Sequence, residues 1–278
     1  MYRLILPLLS FILLPSAIHA QGYHLEWPGE EATSVSNADK YTLVGVDNFD
    51  GKTLNDQYWK KIKRYPNGPQ WNKYMSNNSS LYSFKKGYLR LYARVNKGIE
   101  RNDTAHYLTG GISTENKLTV KYGKIEIRAR ISQAQGVWPA IWLGPNNIED
   151  KKYPKYGEID IVEHYNYDNT IVHTVHNNYT DQLKIKTPKN DARVEVDVTK
   201  WNVYTVEILP NAVIFSINNQ ETFRYPKIQT DEEGQYPFGL DMFLMIDMQV
   251  GGKYLKVNNK TFPAYMDIDW VKFWKYNN

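Results

Sequence analysis

The chain of 278 residues contains no cysteine. That absence removes disulfides, thiolate zinc sites, iron–sulfur clusters and cysteine nucleophiles together. Helical periodicity is nearly missing as well, and Asp50 to Tyr58 is the best candidate for even a short helical turn. Beyond the N-terminus no apolar run is long enough to span a bilayer, so no membrane anchor is expected. The 34 basic and 30 acidic residues leave a formal charge of +4 and form no Lys/Arg block, so no nucleic-acid partner is expected. What is abundant is aromatic: 22 Tyr and 8 Trp against 9 Phe. Such rings carry a polar edge and a flat face, which suits sugar stacking as well as a β core, and core packing accounts for most of them.

At the start, Arg3 precedes Leu4 to Ile18, a run of about fifteen mostly apolar residues too short for a span. His19-Ala20 and polar Gln21 follow, so residues 1–20 read as a secretory signal cleaved after Ala20. A secreted or periplasmic location is expected. A disulfide-free exported chain of this size suits a bacterial envelope. Residues 21–40 read as a polar lead-in, and 41–278 as one domain.

Within that domain the period-2 signal dominates. Lys124 to Ile131 alternates charged with small or apolar residues, which marks a half-buried strand of an antiparallel sheet. Similar runs recur at 88–93, 203–209, 213–217, 242–248 and 265–274, separated by turn signals. Asn218-Asn219 reads as a two-residue hairpin. Many short strands at this spacing predict an all-β sandwich, with function in the longer connections.

The informative segment is Gly157-Glu158-Ile159-Asp160-Ile161-Val162-Glu163-His164. On a strand, Glu158 and Asp160 share a face, whereas strict alternation turns Glu163 away. One bulge around Ile161-Val162 brings Glu163 back. Three acids on one face repel, and their pKa values split, as glycoside hydrolysis requires of a nucleophile and an acid. A solvated outer strand is the bland alternative. A metal site built from Glu158, Asp160, Glu163 and His164 is another, weakened because His164 should face away from its neighbour Glu163.

This segment resembles the catalytic signature of glycoside hydrolase family 16 in its bulged Glu-x-Asp-x-x-Glu form. The strand Tyr122 to Arg130, the run Gly136 to Leu143 with its Trp-Pro-Ala-Ile-Trp, Val250-Gly251-Gly252 and Met266 to Lys272 are similar to that family too. The resemblance implies a β-jelly-roll sandwich of two antiparallel sheets with a concave cleft, and retaining endo-cleavage of a β-linked polysaccharide or glycan. It implies Glu158 as nucleophile, Glu163 as acid/base and Asp160 as their auxiliary. It further implies Trp138 and Trp142 as cleft tryptophans, His176 near the acid/base, and Trp71 and Gln249 as further sugar contacts. His173, three residues before His176, should face the other way. No catalytic metal or cofactor is implied; a structural calcium drawing on Asp47, Asp50 or Asp269 is a further implication. A monomer is expected.

The polymer is less legible. Laminarin-cutting relatives usually carry an Asn-Asn-Glu-Leu-type run where this chain has Gln70 to Met75, and often an Arg before the residue matching Ile112. Glu163 to Asp168 resembles relatives from gut Bacteroidetes that act on β-galactosidic chains. The resemblance therefore points to an endo-β-1,4-galactosidase acting on poly-N-acetyllactosamine or mucin O-glycans. An endo-β-1,3-glucanase is second, and an agarase or porphyranase third. From another class, a non-catalytic jelly-roll carbohydrate-binding protein would need the aromatic platforms but not three acids on one strand.

Overall fold

The computed structural model describes residues 40–85, 87–146, 152–252 and 255–277. Residues 1–20, where a secretory signal is expected, and all of the expected lead-in except Lys40 lie outside the described residues. In chain order the first strands are β1 (Tyr41–Asp47), β2 (Lys60–Lys61), β3 (Tyr82–Phe84), β4 (Leu89–Val95), β5 (Tyr107–Thr109), β6 (Gly111–Ser113), β7 (Thr119–Val120), β8 (Gly123–Ile131) and β9 (Ala140–Pro145). There follow β10 (Glu158–His164), β11 (Thr170–His176), β12 (Asp191–Glu195), β13 (Asn202–Ile208), β14 (Ala212–Ile217), β15 (Gln220–Pro226), β16 (Met242–Asp247) and β17 (Ala264–Tyr276).

They form two antiparallel sheets, as the alternation predicts. One runs β15-β14-β13-β8-β17-β4-β3, with β1 added on β17 and β5 on β4. The other runs β12-β11-β10-β9-β16-β6-β2, with β7 added on β16. Alternation in β8 is strict, every second residue from Gly123 being buried. Its Ile125, Ile127 and Ile131 join Met266 and Phe273 of β17 in one core with Ile141, Leu143, Ile159, Val175 and Leu244 of the second sheet. This is the jelly-roll sandwich expected from the sequence. Its other strand faces are used differently: the first sheet's carries charged and aromatic pairs, such as Arg90 and Arg130 on buried Asp267. That of the second sheet lines the cleft.

Asn218 and Asn219 both take left-handed backbone (φ 51° and 65°), and Ile217 faces Gln220, so the two-residue hairpin forms with a type I′ turn. Asp50 to Tyr58, by contrast, makes only bends and a turn. An α-helical turn, α1 (Asn178–Asp181), instead follows β11, capped by the Asn177 side chain accepting from Thr180 N at 2.9 Å. Four residues carry no period, which is why the hydrophobic pattern holds no sign of it.

Candidate active site

The site grows out of the irregularity in β10. Asp160 faces Trp142 of β9 and Thr174 of β11, whereas Glu163 faces Ala140 and Val172. One extra residue has therefore entered between them, and the register shift lies where the alternation requires it, at Ile161-Val162. Glu158, Asp160 and Glu163 all line one cleft as a result, while Ile161 and Val162 are fully buried. His164 turns into the protein, with no exposed surface, and its Nε2 pairs with the Asp168 carbonyl. It joins no ligand set with the acids.

The histidine that does join them comes from β11. His176 lies directly across from Glu158, with Nε2 3.2 Å from Asp160 Oδ2 and 4.0 Å from Glu158 Oε1. Its Nδ1 is 2.9 Å from Asp181 Oδ2, supplied by α1. Of the cleft acids the ring is thus nearest to Asp160, then Glu158, and it bridges the Asp160 and Asp181 carboxylates. One ligand atom each of Glu158, Asp160 and His176 falls within 4.8 Å of the others, the spacing a cation would need. A protonated imidazole already supplies a positive charge there.

Glu163 is held from a different direction. Trp138 Nε1 and the Tyr165 hydroxyl both donate to its Oε1, each at 2.9 Å, and the two rings stack with centroids 5.7 Å apart. Both donors converge on one oxygen, which leaves Oε2 to carry a transferable proton. Tyr165 was legible in principle: it lies two residues beyond Glu163 and so shares its face.

Trp142 is only 7% exposed. Its indole donates to Asp247 Oδ2 at 2.7 Å, and Trp71 packs edge-on against it at 4.9 Å, with Tyr65 against Trp71 in turn. Trp71 is the more accessible ring of the pair. Gln249, 3% exposed, lies beside Asp247 away from the cleft lining, so this structure gives it no open path to sugar. The cleft measures about 990 Å³. Aromatic side chains flank the acids on both sides: Tyr65 and Trp71 on the β9–β16 side, Tyr153 and Tyr156 on the β11 side. Two of the three acids suggested for calcium have protein partners. Asp47 accepts from Phe49 N and Trp59 Nε1, and Asp269 pairs with Arg128.

Electrostatics follow from this crowding. Burial, then the Asp160 charge, raises Glu158 to about 8 and Glu163 to about 7. The Tyr165 and Trp138 hydrogen bonds restrain Glu163, and the His176 charge restrains both. Glu158 and Glu163 stand on one face of the cleft, so a proton on either is felt by the other. Burial alone would lower His176, but its hydrogen bonds to Asp160 and Asp181 outweigh that and raise it to about 11. Burial raises Asp247 to about 7 against the Trp142 and Gln249 hydrogen bonds.

These shifts share one sign. From the ordinary carboxylate range up to about pH 8, folded Glu158, Glu163 and Asp247 hold protons that the unfolded chain releases; folded His176 does the same from 6.5 to about 11. Stability is therefore present at the acid end of these windows and lost as pH rises through them. The expected result is a melting temperature that falls between roughly pH 5 and pH 9, with a shallower slope in Asp247→Asn. Thermal unfolding across a pH series measures it, and a rising melting temperature would contradict the assignment.

Comparison with known proteins agrees with this geometry. The chain is 30% identical over 248 residues to the keratan-sulfate endo-1,4-beta-galactosidase of Sphingobacterium multivorum, covering 88% of this chain and 57% of that one. It thus spans little more than half the length of that relative. The solved laminarinase of Rhodothermus marinus superposes with a TM-score of 0.75 at 25% identity, over 86% of this chain and 98% of the other. A solved structure from work on endo-acting O-glycanases that initiate mucin breakdown in the human gut microbiota gives a TM-score of 0.69 at 28% identity, over 84% and 98%. The family model for glycosyl hydrolases family 16 matches residues 67–272, which contain the bulged strand and its three acids. The chain is a glycoside hydrolase belonging to family 16.

Proposed function

We propose that the protein is an exported, monomeric, retaining endo-β-glycosidase acting on β-galactosidic glycans of the poly-N-acetyllactosamine or mucin O-glycan type. No cofactor takes part in this proposal. The observation that carries the reaction is the single cleft face shared by Glu158, Asp160 and Glu163. In the microstate that leaves the proton on Glu163, the ionised Glu158 carboxylate attacks the anomeric carbon as the bond to the leaving sugar breaks, and Glu163 gives that proton to the departing oxygen. Glu163 then takes a proton from water, which attacks the same carbon and releases Glu158. Two inversions give retention. Asp160, held by His176, orients the carboxylates between which charge moves.

Support for the substrate class is the likeness to the Sphingobacterium endo-galactosidase and the mucin O-glycanase structure. A local feature adds to it. The position before Ile112 is Gly111, where a Cβ would sit 2.7 Å from the Cβ of Asp247 and 3.1 Å from Met75 Sδ. No arginine of the laminarin-cutting pattern could be housed there without rebuilding the floor of the sheet. The second reading, an endo-β-1,3-glucanase, is favoured by the likeness to the Rhodothermus laminarinase.

End-product analysis on laminarin, mixed-linkage glucan, agarose, porphyran, keratan-type glycans and mucin O-glycans tests the choice. Oligosaccharides from the galactose-containing host glycans alone are expected; release from laminarin would establish the second reading. On the substrate cleaved, Trp71→Ala is expected to raise KM about ten-fold with kcat nearly unchanged, a loss of ~1.4 kcal/mol of stacking. An unchanged KM would remove Trp71 from the sugar-binding surface.

A further inference from the structure

The bulge that assembles the site creates a problem on its reverse side. The extra residue of a bulge falls out of the hydrogen-bonded ladder, and a buried carbonyl without a donor costs about 1–3 kcal/mol. Ile161 is that residue against β9, since Asp160 pairs with Trp142 and Val162 with Ile141. It has no exposed surface. Its carbonyl is met from the neighbouring strand by His173, whose Nδ1 lies 2.6 Å from Ile161 O.

His173 faces the core, opposite in direction to His176, and is itself fully buried. Nε2 is 2.9 Å from the Thr222 hydroxyl on β15, and the ring lies 4.8 Å from that of Phe215 on β14. Both β14 and β15 belong to the other sheet. Burial, opposed by the Ile161 carbonyl, drives the imidazole down to about 4, so it is neutral and carries one N–H. A carbonyl only accepts, so that hydrogen sits on Nδ1, and Nε2 accepts from Thr222. A chain of contacts thus runs from the bulge, through one ring, to the opposite sheet.

We propose that His173 is a positioning residue for hydrolysis: through the Ile161 carbonyl it holds the β10 bulge in the register that brings Glu163 to the face of Glu158. The assignment rests on the reading of those two glutamates as the reacting pair. Its force comes from the period of a strand. Sliding the bulge out moves Glu163 to the core side, and even a looser bulge displaces its carboxyl relative to the bond being cleaved. A misplacement of about 1 Å costs roughly 10²-fold in rate. The cleft-wall rings of Trp71 and Tyr153 lie outside β10, so the binding surface they offer does not depend on the same contact.

Three variants separate positioning from mere stability. His173→Phe keeps the ring against Phe215 and loses both hydrogen bonds. His173→Asn places an amide N–H near the position of Nδ1 and keeps the bond to Ile161 O. Thr222→Val removes the partner of Nε2, together with the hydroxyl's contact to the Phe215 carbonyl, and leaves the bond to Ile161 O. Assayed well below their melting temperatures on a substrate the wild type cleaves, His173→Phe is expected to lose about 10²-fold in kcat with KM within two-fold. His173→Asn should recover most of that loss, and Thr222→Val should lose less than His173→Phe. Should His173→Phe fail to fold, the Asn and Val variants carry the test, both expected within ten-fold of wild type. Wild-type kcat in a folded His173→Phe, or equal impairment of Phe and Asn, would overturn the proposal. Glu158→Gln and Glu163→Gln run alongside: full activity in those would sink the catalytic reading itself, whereas inactivity there with an active His173→Phe sinks only the role of His173.

Discussion

Glu158→Gln is expected to abolish turnover, by roughly 10⁴-fold or more, while glycan binding persists within a few-fold. The amide preserves the shape of the side chain and its place across from His176 but has no charge with which to attack an anomeric carbon. Glu163→Gln should be nearly as severe on natural glycans, by about 10²–10⁴-fold, because the leaving sugar must then depart as an alkoxide. On an aryl glycoside with an acidic leaving group, the first step no longer needs Glu163, and much of the loss in that variant should vanish.

Azide distinguishes the two roles. In Glu158→Ala it can occupy the vacated space and attack directly, so a β-glycoside yields an α-glycosyl azide by one inversion. In Glu163→Ala it intercepts the glycosyl–Glu158 ester and yields the β-azide by two. Product stereochemistry by NMR reads the answer, and the reverse pattern would exchange the assignments. A protein that binds glycans but shows no turnover to lose would be a binding module instead.

Asp160→Asn is the second large expected effect, about 10²–10³-fold in kcat/KM. Asp160 is 5% exposed, stands between the two glutamates in sequence and accepts from His176. Its charge is the second-largest cause, after burial, of the raised values of Glu158 and Glu163. Neutralising it lowers both. Glu163 then loses its proton at a lower pH, so the alkaline limb of the kcat/KM profile should move toward acid. His176 loses its Asp160 partner and falls from its raised value as well. Near-wild-type turnover, or an alkaline limb that stays in place, would take Asp160 out of the mechanism.

Much of this is legible in the amino-acid order, because period-2 alternation reports which face of a strand is buried. Lys124 to Ile131 lies in β8, Asn218-Asn219 forms the expected turn, and the conflict between Glu163 and strict alternation is enough to locate the bulge. A carboxylate on the wrong face of an otherwise consistent strand is a local signal, and local signals survive in a sequence. Tyr165 belongs to the same class, two residues from Glu163.

The remaining partners are set by distance in space rather than along the chain. Asp181 reaches His176 only because α1 folds back beside β11, and a four-residue turn leaves no periodic trace. Asp247 finds the Trp142 indole across the β9–β16 pair, 105 residues away in the chain. His173 reads from sequence as a histidine facing away from the site. The packing of β14 and β15 beneath it supplies Thr222 and turns that reverse face into support for the bulge. Sheet faces, the bulge and the three acids depend on neighbours one or two residues apart, so the order of residues is sufficient to specify them. Which ring pairs with Asp160, which donors hold Glu163 and what anchors the bulge depend on register across the fold, and such pairings exist only once the strands have come together.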